Sequence, residues 1–95
     1  KNDIPETVLF RDTILAITNK AITAGTVIKK AHIIPLSGTP VVQITDKDSN
    51  LIFDSGGIIT TVMEEDITTY FAAANMLSLI ISDGTIRILI TQLNL

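Results

Sequence analysis

Leu77-Ser78-Leu79-Ile80-Ile81-Ser82-Asp83-Gly84-Thr85-Ile86-Arg87-Ile88-Leu89-Ile90 alternates on both sides of a central Asp-Gly. An Asp-Gly pair flanked by alternating apolar runs is the signal for a two-residue type I′ hairpin turn. With Asp83 and Gly84 at the turn centre, Ile81 pairs with Ile86, Leu79 with Ile88 and Leu77 with Ile90. All six then share one face, so turn chemistry and face assignment agree. The opposite face is mixed, with Ser82 beside Thr85, Ile80 beside Arg87 and Ser78 beside Leu89. The expectation is a hairpin with one buried face. Ile80 and Leu89 are left apolar on the other face, which a subunit contact would explain.

The remainder of the chain supports a sheet protein. Of its 95 residues, 17 are isoleucine and 13 threonine. β-Branched side chains are stiff at χ1 and fit a pleated, half-buried surface. Thr13 to Thr18 reads as a strand, with turns at Asn19-Lys20 and Ala24-Gly25. Thr26 to Ile28 reads as a short strand, and His32 to Leu36 as an extended piece stopped by Pro35, Gly38 and Pro40. Val41–Thr45 and Leu51–Phe53 flank the loop Asp46–Asn50. Glu64 to Asn75 reads as a short helix, because Thr61 and Glu64 have capping-box spacing, acids fill the first turn and Ala72-Ala73-Ala74 favours helix. Residues 1–12, polar and containing Pro5, read as an N-terminal arm or edge segment. Residues 13–95 read as a single, mainly β domain: antiparallel, sandwich-like, with the one helix around 64–75.

Composition narrows the function classes. There is one histidine, His32, and no cysteine or tryptophan, so the usual inventory for nucleophilic catalysis or a thiolate metal site is missing. His32 has no second histidine to form a metal site, and its apolar surroundings suit a packed or rim position. The net charge is −3 and the seven basic residues are scattered, which is no footprint for nucleic acid. No apolar run is long enough to read as a membrane span. The hydrophobic fraction of 46% is high for so small a domain, so some apolar surface is expected to meet a neighbouring subunit. The end of the chain, Gln92-Leu93-Asn94-Leu95, continues the alternation. The expected oligomer interface is Ile80, Leu89, Leu93 and Leu95, with no catalytic residue, metal or cofactor.

Two short patterns carry candidate chemistry. Asp46-x-Asp48-x-Asn50 has the spacing of the first three oxygen ligands of a calcium loop. Leu51 then stands where the turning glycine belongs and Gly57 where a bidentate glutamate belongs, so a polar hairpin loop is the expectation. Leu51-Ile52-Phe53-Asp54-Ser55-Gly56 resembles the signature of small dimeric aspartic proteases, which implies Asp54 as one of two carboxylates sharing a proton. Gly57 departs from that pattern, and Asp-Ser-Gly is also an ordinary turn sequence.

Ala21-Ile22-Thr23-Ala24-Gly25-Thr26-Val27-Ile28, with Ile33 five residues on and Ile14-Leu15-Ala16 before it, resembles the core of SAF (antifreeze-like) domains. The Leu36–Pro40 turn suits the same pattern. These domains are small β-clip folds that occur in flagellar and pilus assembly chaperones and at the end of sialic acid synthases. The same stretch looks like that of head-decoration and head-fibre proteins of tailed phages, whose trimeric decoration members share the β-clip architecture. The resemblance covers residues 14–40. It implies a β-clip fold and a non-enzymatic assembly protein of the virion, homotrimeric and bound to other virion or assembly proteins. An SAF-like binding module and a protease using Asp54 are the alternatives.

Overall fold

Most isoleucine- and threonine-rich stretches are strands among residues 4–94, the part of the chain that this computed structural model describes; Ile58-Ile59-Thr60-Thr61, in the connection after Asp54, is the exception. There are six strands: β1 (Glu6–Ile14), β2 (Thr18–Ile22), β3 (Thr26–Thr45), β4 (Leu51–Asp54), β5 (Met63–Phe71) and β6 (Asn75–Leu93). They form one antiparallel sheet of order β1-β6-β3-β4, with β2 also on β6 and β5 also on β3. Residues 6–12 of the expected arm lie in β1, an edge strand paired with β6 from Glu6↔Leu93 to Ile14↔Ile86.

β3 and β6 are 20 and 19 residues long. Straight strands of that length would reach about 65 Å at roughly 3.3 Å per residue. The longest dimension of the molecule is 40 Å, so both strands bend. The bend lies where the β3–β6 register slips, between Pro35 and Ser37 and between Gly38 and Val41. Bulges of this kind kink a strand, and proline, which cannot donate to the ladder, is tolerated there. Bending divides the sheet into two layers. The first holds β1, the C-terminal half of β6, the N-terminal half of β3, and β5. The second holds β2, the N-terminal half of β6, the C-terminal half of β3, and β4.

The inner faces of the two layers make one core. Ile28, Ala31, Ile33, Ile86, Ile88 and Ile90 from the first layer, and Val42, Ile44, Leu77 and Leu79 from the second, are fully buried in a single cluster. Complete burial of such a side chain contributes about 1.5–3 kcal/mol. Buried partners stack across the ladder as Ile33↔Ile88, Ala31↔Ile90, Ile44↔Leu79 and Val42↔Ile81. The surface area of 5397 Å² is close to the roughly 5,350 Å² expected of a compact monomer of this mass. The chain therefore exposes an ordinary amount of surface; the side chains that occupy it are unusual.

Three expectations are corrected. Asp83-Gly84 is not a hairpin turn: β6 continues through it as one bent strand, and the six residues predicted to pair with one another pair with β3 instead. All six are nevertheless buried on one face. The inward phase is odd-numbered before Asp83 and even-numbered after Gly84. Asp83 sits in the left-handed region, with φ of 61°, and absorbs the change of phase. The expected helix at 64–75 is also absent. Ile67, Thr69 and Phe71 alternate inward with Glu64, Asp66, Thr68 and Tyr70 outward in β5. Burial of Ile67 and Phe71 on a period of two outweighs the helix preference of the alanines. Ala72–Ala74 form the connection to β6. The Asn19-Lys20 turn is likewise absent, since both residues pair within β2.

Candidate functional site

The outer face of the first layer carries two of the four expected interface residues, Leu89 and Leu93. Its rows follow from the register. Arg11, Leu89, His32 and Glu64 form one row across β1, β6, β3 and β5, and Thr13, Arg87 and Ile34 form the next. On the other side lie Val8, Thr91, Lys30 and Asp66, then Glu6, Leu93, Val27 and Tyr70. Leu89 and Leu93 thus stand on one face, two rows apart. Val8 and Tyr70 are largely exposed there. A shallow pocket of about 190 Å³ is lined by Arg11, His32, Ile34, Arg87 and Leu89. Its lining is almost wholly apolar, so Arg11, His32 and Arg87 present mainly carbon to it beside Ile34 and Leu89.

Along the row Arg11, Leu89, His32, Glu64 the charge runs from base at the β1 edge to acid at the β5 edge, while Glu6 on β1 and Lys30 on β3 break that order in the other rows. Arg11 and Arg87 lie toward β1, and among the described residues neither is recorded in an ion pair. Glu64 and Asp66 lie on β5 at the opposite edge. His32 Nδ1 approaches Glu64 Oε2 at 3.3 Å. Lys29 Nζ donates to Asp66 Oδ2 at 2.8 Å and to Thr68 Oγ1 at 3.2 Å. That lysine, with hydrogen bonds from the Thr68 hydroxyl and N–H, holds the Asp66 carboxyl well below the usual carboxylate range. The same contact raises Lys29 above its ordinary value.

Ile80, another of the expected interface residues, is not brought together with these. Ile80 is half-buried on the outer face of the second layer, opposite Gln43. That face is polar, with Ser78 Oγ donating to Asn19 at 2.9 Å and Gln43 within 3.4 Å of Asp54. Leu95 lies outside the described residues. Further apolar side chains flank the bend: Leu15 and Ile17 on the β6 side, and Leu36, Ile58 and Val62 on the β3 side, are all exposed. A second concavity of about 310 Å³, lined by residues 35–39 and 58–60, lies between the bend and the β4–β5 connection.

The patterns with candidate chemistry have local roles. The Asp46 carboxylate accepts from the N–H groups of Asp48 and Asn50, both at 2.9 Å, and from Asn50 Nδ2 at 3.0 Å. These bonds, led by the Asn50 side chain, lower the Asp46 pKa. Both oxygens are committed to closing the loop between β3 and β4. Asp54 accepts from the Gly56 N–H at 2.8 Å, and Ser55 Oγ donates to the Gly57 carbonyl at 2.7 Å while accepting from the Val42 N–H. These contacts form the turn that ends β4. Among the described residues, no cluster of three or more His, Asp or Glu side chains is placed to hold a metal ion. No helix there is long and apolar enough to cross a membrane.

Sequence reasoning missed the ordered row Arg11–Leu89–His32–Glu64. Reading Glu64 as a helix start removed it from the sheet, and reading Asp83-Gly84 as a turn paired Arg87 with Ile80. The alternation of Glu64, Asp66, Thr68 and Tyr70 was the available signal. Comparisons with protein-family models, with curated proteins and with solved structures find no match.

Proposed function

We propose that this protein is a non-enzymatic structural assembly protein, homo-oligomeric, of the kind that decorates or projects from a phage capsid. The observation that carries the reading is the outer face of the first layer. It presents Leu89, Leu93 and Val27 on the two central strands, with Val8 and Tyr70 exposed on the edge strands β1 and β5. A lone domain gains nothing from apolar side chains there, whereas an interface does. The apolar residues flanking the bend supply further contact surface of the same kind. The turn role of Asp54 and the self-closed Asp46 loop favour this reading over hydrolysis or cation binding. The resemblance of residues 14–40 to phage decoration proteins supplies the virion setting.

Native mass measurement of the free protein, with a cross-linking map of the particle that contains it, tests the reading. A stable oligomer with a shell protein as neighbour supports it. A monomer at every concentration, with no shell neighbour, overturns it.

A further inference from the structure

We infer that the outer face of the first layer docks a second copy of this chain face to face, about a two-fold axis parallel to the strands and midway between β3 and β6. This inference rests on the assembly reading above and specifies its contact. The argument is the order of side chains along the rows. A half-turn about that axis exchanges the two edges of the layer, so the β1 edge of one copy covers the β5 edge of the other. In the central row Arg11 then meets the partner's Glu64, Glu64 meets the partner's Arg11, and Leu89 lies over the partner's His32. In the outermost row Leu93 lies over the partner's Val27. A half-turn about the perpendicular in-plane axis would instead set β1 on β1 and β5 on β5, stacking like charges.

Charge availability agrees with this pairing. Arg11 is exposed, and among the described residues it is recorded in no ion pair. The Glu64 side chain is 59% exposed, although one oxygen faces His32. Its second oxygen is free to accept from an arginine. Size agrees as well. Four strands about 4.8 Å apart and about eight residues long give each copy a footprint of roughly 500–600 Å². That total of about 1,000–1,200 Å² is at the small end for specific complexes. Facing sheets pack with about 30° between strand directions, which the twist of each layer supplies. The contact is closed and two-fold, unlike the three-fold ring that the family resemblance implies.

Complementary charge reversals on the full chain test the contact. Arg11→Glu sets Glu against Glu at both ends of the row, and Glu64→Arg sets Arg against Arg. Each variant alone is expected to raise the dimer dissociation constant about tenfold or more, as for charge pairs that become like-charged. Mixing the two variants restores both attractions, so native mass spectrometry should show the mixed dimer in preference to either homodimer. The double variant Arg11→Glu/Glu64→Arg should also dimerise like the parent. Both substitutions are at exposed sites, and a far-ultraviolet spectrum identical to the parent's confirms the fold. A parent oligomer unchanged by either reversal, or by Leu89→Lys, overturns this face as the contact while leaving the assembly reading standing. A parent chain that is monomeric at all concentrations overturns the assembly reading itself.

Discussion

Gly38 of β3 and Gly84 of β6 are cross-strand partners, and a side chain on either would run into the opposing strand. A Cβ on Gly38 would lie 2.5 Å from the Asp83 carbonyl oxygen, and its φ of 70° is left-handed. A Cβ on Gly84 would run into the Ser37 carbonyl oxygen and lie 2.9 Å from Pro40 Cδ. The two layers fold toward each other across this contact. Gly84→Ala and Gly38→Ala should each destabilise the protein by about 1–3 kcal/mol, since the opposing atoms are backbone and cannot swing away. Urea denaturation measures the loss. Full stability in both variants would show that the bend tolerates separation.

The phase change at Asp83 makes a sharper test. One glycine inserted between Asp83 and Gly84 would merely lengthen a hairpin turn. In a continuous strand it rotates everything beyond it to the opposite face, placing Leu89 inward and Ile88 and Ile90 in water. The insertion should therefore abolish cooperative unfolding. A near-native thermal melt would restore the hairpin interpretation.

Adjacent residues of β6 should respond oppositely to truncation. Ile88 is fully buried against Ile33, so Ile88→Ala should cost about 3–4 kcal/mol, within the range for buried isoleucine. Leu89 is half-buried on the outer face, and Leu89→Ala should cost under about 1 kcal/mol in the monomer. Chemical denaturation of the dilute variants separates the two. Equal losses would mean that the outer face is already covered in the isolated chain.

Stability should fall in acid for a specific reason. Asp66 and Asp46 both titrate below the ordinary carboxylate range when folded. Between the folded and unfolded values the unfolded chain binds more protons, so stability rises with pH there. The contribution is complete above about pH 5 and is lost as pH falls through the depressed folded values. Lys29 carries the opposite sign, and its contribution is lost as pH rises through its raised value. Both aspartates are exposed, so the effect is small and screened by salt. Asp66→Asn should flatten the acid limb of a stability–pH profile more than Asp48→Asn, whose carboxylate, among the described residues, accepts only from Lys47 Nζ. Indistinguishable profiles would remove Asp66 from the account.

How much of this was legible depends on the range of the information needed. The antiparallel β class, the Ala24-Gly25 turn and the hairpin around Asp46–Asn50 follow from local chemistry, and the structure contains them. The inward identity of Leu77, Leu79, Ile81, Ile86, Ile88 and Ile90 was legible too, because alternation reports the face whatever the partner. The partner itself was not. Asp-Gly serves equally as a turn centre and as a bulge that reverses phase, and only the distant Gly38 decides between them. The stretch 64–75 failed similarly: its acids and alanines speak locally for helix, while the buried spacing of Ile67 and Phe71 needs β3 beside it. Of the expected interface, Leu89 and Leu93 share a face and Ile80 lies on another layer. The charges around Leu89 come from three further strands, and no single segment displays them.

Because β3 and β6 each pass through both layers, the molecule has no seam along which one half could open while the other stays shut. Amide hydrogens on either side of Gly38 and Gly84 should exchange through the same global opening, at matching free energies. Neither layer should persist as a partly folded intermediate, and any fragment cut at the bend should behave as a coil.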